Sequence, residues 1–159
     1  MILDELVLHN FGVYRGRHHI ALTPPSPQRP VVLFGGLNGG GKTTLLDGIQ
    51  LALYGKGAHC SNRGSLAYPD YLERAINSRV SKSDGASLEL QFRHRSEGNE
   101  ATFRLVRSWS VSPGGGVKER LDVFRDGEHD SVLAEAWSEH VDEFMPAGIS
   151  NLFLFDGEK

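Results

Sequence analysis

The sequence contains a single cysteine, Cys60, so no internal disulfide can form, and this cysteine usage is that of a reducing, cytosolic compartment. It holds no run of about 18 apolar residues, which excludes a membrane-spanning helix. Its opening, Met1-Ile2-Leu3-Asp4-Glu5, has no basic stretch ahead of an apolar core and is expected not to be a secretory signal. It has no excess of positive charge: 17 Lys and Arg against 20 Asp and Glu give a formal net charge of -3. A nonspecific DNA-binding domain usually carries a strong basic excess, so any contact with nucleic acid must rely on local basic spots. His9, His59, His129 and His140 share no metal-ligand spacing, so no zinc site is expected. There is no internal repeat and no heptad run. The rest is ordinary for a globular chain, with 39% hydrophobic and 23% charged residues. At 159 residues the chain can bury most of its apolar surface as one domain without disulfides or metals.

Glycine is abundant, with 19 residues, and its clustering is informative. The first 22 residues predict two strands around the turn Asn10-Phe11-Gly12, with Ile2, Leu6 and Leu8 at even positions. Thr23 to Pro30 holds four of the seven prolines and is a loop. Pro30-Val31-Val32-Leu33-Phe34 is a continuous apolar run, as in a strand buried on both faces of a parallel sheet. Lys42 to Tyr54 predicts a helix, with Leu45, Leu46, Ile49 and Leu53 on one stripe and Gly55 and Gly57 ending it. Tyr68 to Val80 predicts a short helix with Pro69 in its first turn. Ala86 to Phe124 predicts antiparallel strands, linked by Glu97-Gly98-Asn99 and Pro113-Gly114-Gly115-Gly116, with Asp126-Gly127 as a further turn. Ser131 is the expected N-cap of a helix carrying Leu133, Trp137, Val141 and Phe144, stopped by Pro146. Ile149 to Phe155 is another apolar run, expected to hold a buried strand over Leu152 to Phe155.

Between the third predicted strand and the first helix lies Gly36-Leu37-Asn38-Gly39-Gly40-Gly41-Lys42-Thr43, which satisfies G-x-x-x-x-G-K-[ST] at every fixed position. The composition follows from the chemistry. Backbone N–H groups must converge on phosphate oxygens, and β-carbons would block that approach. The helix starting near Lys42 turns the positive end of its dipole toward the anion. Lys42 supplies a point charge for β- and γ-phosphates, the Thr43 hydroxyl suits a Mg2+ bridging them, and Thr44 offers a further hydroxyl. The nucleotide site is thus expected to comprise Gly36, Asn38, Gly39, Gly40, Gly41, Lys42, Thr43 and Thr44, taking ATP and Mg2+.

The stretch Val31 to Lys56, VVLFGGLNGGGKTTLLDGIQLALYGK, resembles the N-terminal head segment of SMC-type ATPases. Their phosphate loop usually reads G-x-N-G-x-G-K-[ST]-T, and Asn38 and Thr44 match it. Within that superfamily the whole chain is similar to the DndD family, the coiled-coil ATPases of bacterial DNA phosphorothioation. That similarity rests on the same loop-and-helix segment, on Asn10-Phe11-Gly12, on RSWSV at Arg107 to Val111, and on GISNLFLFDGEK at Gly148 to Lys159.

The resemblance implies an α/β fold of the SMC/ABC-type P-loop head. Residues 1–159 would form its N-terminal lobe, with an antiparallel β-subdomain covering a core strand, the loop and its helix. A coiled coil and a C-terminal ATPase lobe carrying the signature motif, the Walker B carboxylates and a histidine switch would lie outside this sequence. None of those motifs occurs here: no apolar strand after Gly85 ends in paired acids, and Ser112-Pro113-Gly114-Gly115 opens no helix. It implies also that hydrolysis needs the missing lobe and a second head in a homodimer. Asp156 would stand where related ATPases place the Mg2+-holding glutamine of the Q-loop, and a carboxylate oxygen serves Mg2+ at least as well. The implied partners are DNA and the sulfur-modification proteins, a cysteine desulfurase among them, in the cytoplasm with no membrane.

Other side chains invite blander readings. His18, His19, Arg15 and Arg17, like Arg93, His94 and Arg95, read as solvated strand faces before basic phosphate spots. Arg63 in the loop after the first helix is a lesser candidate for phosphate. Cys60 reads as an inert thiol, and Trp109 and Trp137 as packing residues rather than a base-stacking platform. Tyr14, near the first turn, is placed to approach an adenine, which the sequence leaves undecided. Three other functions compete: a head fragment of a DNA-repair or antiphage SMC-like ATPase partnered with a nuclease, a small P-loop kinase, and a nonenzymatic nucleotide sensor. A kinase would need an acceptor lid and a carboxylate base that the sequence does not offer.

Overall fold

A computed structural model describes residues 1–154, side chains aside at 151–153. Its frame is one antiparallel sheet of strands β1 (Ile2–Phe11), β2 (Tyr14–Ala21), β3 (Ala86–Ser96), β4 (Asn99–Val111), β5 (Val117–Arg125) and β6 (Glu128–His129), in the order β2-β1-β3-β4-β5-β6. Register is set by two-residue turns whose geometry the sequence dictates. Glu97-Gly98 (φ 52° and 84°) and Asp126-Gly127 (φ 50° and 86°) both take the left-handed pair that matches strand twist. The Asp126 carboxylate also accepts from the Thr102 N–H at 2.9 Å, closing the second turn.

Alternation puts one apolar row across four strands, Leu6 opposite Leu90, Leu90 opposite Leu105, and Leu105 opposite Val123, all 0% exposed. Helix α1 (Lys42–Tyr54) lies on this face. It comes close because Gly48 has no side chain: a β-carbon there would sit 3.0 Å from Leu8 Cδ2. The helix ends at Gly55 (φ 52°), followed by a 3-10 turn over Gly55–Gly57. Two buried tryptophans tie elements together, one from strand β4 and one from a later helix, as packing residues should. Trp109 Nε1 donates to the Leu72 carbonyl and Trp137 Nε1 to the Leu53 carbonyl, both at 2.7 Å. Phe92, Phe103, Trp137 and Phe144 form one aromatic cluster beneath the last helices.

Several expectations need correction. Pro30 to Phe34 is not a strand: no described strand lies beside it to form a ladder, and Val31 and Leu33 are 67% and 86% exposed. An apolar run becomes a buried strand only when neighbours supply both its hydrogen bonds and its cover. Helix α2 spans Tyr68–Ala75 and stops short of Val80, because Ile76 turns extended and bridges to Phe11. Asp130, not Ser131, is the N-cap, its carboxylate accepting from Leu133 N–H at 2.9 Å. The helix after it is two, α3 (Ser131–Glu135) and α4 (Trp137–Phe144), broken at Ala136, where ψ opens to 8°. The apolar run at the end begins as helix α5 (Ala147–Phe153), so the expected strand from Leu152 is not formed there. Asp156 lies outside the described residues.

Candidate functional site

The phosphate loop lies exposed at the start of α1, and Gly39 and Gly41 carry φ of +81° and +92°, values that glycine tolerates and residues with a β-carbon resist. Gly40 closes the loop: its N–H donates to the Leu37 carbonyl at 2.9 Å, and a β-carbon would lie 2.8 Å from that oxygen. Lys42 folds back so that Nζ donates to the Gly36 carbonyl at 2.8 Å, carrying its ammonium across the loop. Helix α1 opens at Gly41 with no side-chain cap, so the positive end of its dipole faces the loop. The geometry therefore fits a phosphate chain, with a glycine-lined turn, an ammonium across it and a helix start behind it. Thr43 and Thr44 fall in the first turn of α1, and the Thr44 methyl faces the β1–β2 turn, where a β-carbon on Gly12 would lie 2.5 Å from Cγ2.

That turn is the part sequence reading left undecided. Tyr14 Oη donates to the Gly41 carbonyl at 3.2 Å, so its ring abuts the loop–helix junction. The turn is fixed from behind by the segment after α2: Gly12 N–H donates to the Ala75 carbonyl, and Asn77 Nδ2 donates to the Gly12 carbonyl, both at 2.7 Å. Asn77 N–H also donates to the Asn10 carbonyl at 2.7 Å. Asn10 and Asn77 are buried polar residues, and the sequence reading did not single out Asn77. Asn10 was marked only as part of the turn segment Asn10-Phe11-Gly12.

The remaining candidates are engaged in the fold. Arg17 pairs with Glu89 at 2.6 Å, His19 with Glu5 at 2.9 Å and Arg93 with Asp4 at 2.8 Å, as solvated strand faces. Arg63 donates to the Lys56 carbonyl at 2.8 Å and covers the Tyr68 ring, stapling its own loop. The Asp47 carboxylate, 4% exposed, holds the same loop through Ser61 N–H at 2.8 Å. Cys60 Sγ donates to the Asp47 carbonyl, and burial pushes the thiol up to about 11. Among the described residues no group of three or more His, Cys, Asp or Glu side chains is placed to hold a metal ion, and no helix is long and apolar enough to cross a membrane.

A cavity of about 420 Å³ opens at the far end of α1, where Tyr54, Lys56, Tyr68, Arg107, Glu119 and Trp137 are among its walls. The 13 residues of α1 put it roughly 20 Å from the phosphate loop. Arg107, 7% exposed, donates to Glu119 at 2.6 Å, and the Tyr68 hydroxyl donates to the same oxygen at 2.7 Å. The guanidinium also lies over Gly55, where a β-carbon would come within 2.7 Å of it.

A family model described as an AAA domain matches residues 5–159. The chain belongs to the AAA-domain family. A curated relative, a subunit of the SbcCD nuclease of Treponema pallidum (strain Nichols), is 47% identical over 52 residues, which are 33% of this chain and 5% of that protein. The match thus spans a small fraction of the relative's length. AAA-domain ATPases generally use ATP and Mg2+, and the mixed α/β architecture with its antiparallel sheet agrees with that membership.

Proposed function

We propose that the chain binds ATP with Mg2+ at Gly36 to Thr44, as the N-terminal half of an SMC-like ATPase head that acts on DNA. The observation that carries this is the glycine turn with the Lys42 ammonium drawn across it, at the uncapped start of α1. In this reading Lys42 meets the β- and γ-phosphates, the Thr43 hydroxyl ligates Mg2+, and loop N–H groups hold phosphate oxygens. Bound Mg2+ would neutralise charge developing on the terminal phosphate. Asp156 is proposed as a further Mg2+ ligand. Hydrolysis is assigned to the complete head, paired with a second one, because no motif here supplies a water-activating carboxylate.

Titration calorimetry of ATP·Mg2+ against the chain and Lys42→Ala tests the site, followed by a turnover assay on the same samples. Binding that weakens at least tenfold in the variant, without turnover, is expected. Turnover by the chain alone would remove the half-site account.

For the process, the proposal of DNA phosphorothioation rests on the resemblance carried by the loop-and-helix segment, Asn10-Phe11-Gly12, Arg107 to Val111 and Gly148 to Lys159. A second reading, an ATPase partnered with a nuclease, is favoured by the similarity to part of a nuclease. Co-purification of the full-length protein with a cysteine desulfurase supports the first, and with a nuclease the second.

A further inference from the structure

The structure assigns Tyr14 as a positioning residue that holds the Gly41–Lys42 peptide in the orientation needed to meet a phosphate. The inference rests on the nucleotide reading above and adds to it a part outside the loop.

Tyr14 Oη donates to the Gly41 carbonyl at 3.2 Å, and the same oxygen accepts from Leu45 N–H at 2.9 Å, the first hydrogen bond of α1. Two donors on one oxygen fix the plane of that peptide. In a trans peptide the N–H points opposite to the C=O, so pinning the Gly41 carbonyl along the helix aims the Lys42 N–H out of the helix start, toward the loop. Tyr14 and Val13 also fill the space beside Gly41: a β-carbon there would lie 2.8 Å from Tyr14 Oη, and 2.9 Å from both Tyr14 Cζ and Val13 Cγ2. With φ of +92° at Gly41, the backbone there takes a left-handed turn that glycine allows and a β-carbon would resist.

The brace itself is anchored. Gly12, two residues before Tyr14, is held by Ala75 and Asn77 through two hydrogen bonds of 2.7 Å and packs on the Thr44 methyl. The hairpin tip is thus clamped between the end of α2 and the first turn of α1. Tyr14 reaches the backbone of the loop, so its influence should be felt by any phosphate chain, with or without a base attached.

The test is binding of two ligands, ATP·Mg2+ and inorganic tripolyphosphate with Mg2+, to the wild type, Tyr14→Phe, Tyr14→Ala and Arg17→Ala. Loss of one hydrogen bond predicts that Tyr14→Phe weakens both ligands by the same factor, roughly five-fold. Arg17→Ala, on the same hairpin but paired with Glu89, should leave both unchanged. A wild-type affinity in Tyr14→Phe overturns the brace, as does a Tyr14→Ala defect confined to ATP, which would make the ring an adenine wall. A wild type that binds neither ligand overturns the nucleotide reading and the brace together. Backbone amide exchange without any ligand gives a second readout. Faster exchange across residues 39–44 in Tyr14→Phe, with the rest of α1 unaltered, is expected, and unchanged exchange there counts against the brace.

Discussion

Burial sets the chemistry of two side chains whose solution behaviour is easily measured. Desolvation raises the Cys60 thiol to about 11, with the nearby Asp47 charge adding and a Tyr71 hydrogen bond opposing. At pH 8 the thiolate fraction is then on the order of one in a thousand, so a disulfide reagent should modify the native chain slowly and the urea-unfolded chain at once. Prompt native labelling would mean that the loop after α1 opens readily. His94 packs edge-on against Phe144 at 5.0 Å, with a buried Nδ1 that has no partner among the described residues. Desolvation first, and the amino-terminal charge second, hold its pKa below the ordinary value, while Glu143 opposes. The unfolded chain therefore takes this proton first as pH falls. Stability is fully present above about pH 6.5 and is lost as pH drops from there through the folded value. The melting temperature should fall between about pH 7 and 5, and His94→Gln should flatten that slope. An identical slope in the variant would place the proton uptake elsewhere.

At the scale of elements, Gly48 is the test of how α1 sits on the sheet. Mid-helix glycine costs about 1 kcal/mol against alanine, and here it is offset by the close approach to Leu8, Leu88 and Phe11. Gly48→Leu should lower stability by about 1–3 kcal/mol in urea unfolding with an unchanged m-value. A neutral result would mean that the helix lifts without penalty. A smaller effect is expected at the start of α3, where Asp130→Ala removes the cap and should cost about 1 kcal/mol.

Elements defined by local pattern were legible in the sequence: α1 over Lys42–Tyr54, the three long strands β3 to β5 and their turns. So was the phosphate loop, because glycine spacing and lysine identity are local. What was hidden depends on partners distant in the chain. Pro30 to Phe34 has strand composition without a strand neighbour among the described residues, Ile76 leaves its helix to bridge Phe11, and Tyr14 meets Gly41 from a hairpin tip that Ala75 and Asn77 hold. Composition cannot report such pairings. The run from Ile149 shows the same limit, since a short apolar stretch serves a helix as well as a strand.

For the whole molecule, the salient surface feature is the apolar side chains just ahead of and within the phosphate loop, with Leu33 86% and Leu37 87% exposed beside Val31 and Phe34. Neighbouring exposed apolar groups favour association. Sedimentation velocity on the chain should show self-association that rises with concentration, and Leu33→Ser with Leu37→Ser should reduce it. A monomer at all concentrations would show that this segment folds back on itself in solution.

The sheet order also fixes a schedule for the nascent chain. Strand β1 pairs with β2, its neighbour in sequence, on one side and with β3, which begins only at Ala86, on the other. A ribosome adding about 5–20 residues per second leaves the outer edge of β1 unpaired for several seconds before β3 emerges. During that interval the first hairpin is a natural client for a chaperone that shields apolar strands. The Gly12 turn likewise waits for Asn77, so the glycine loop it braces cannot settle before about half of the chain has emerged.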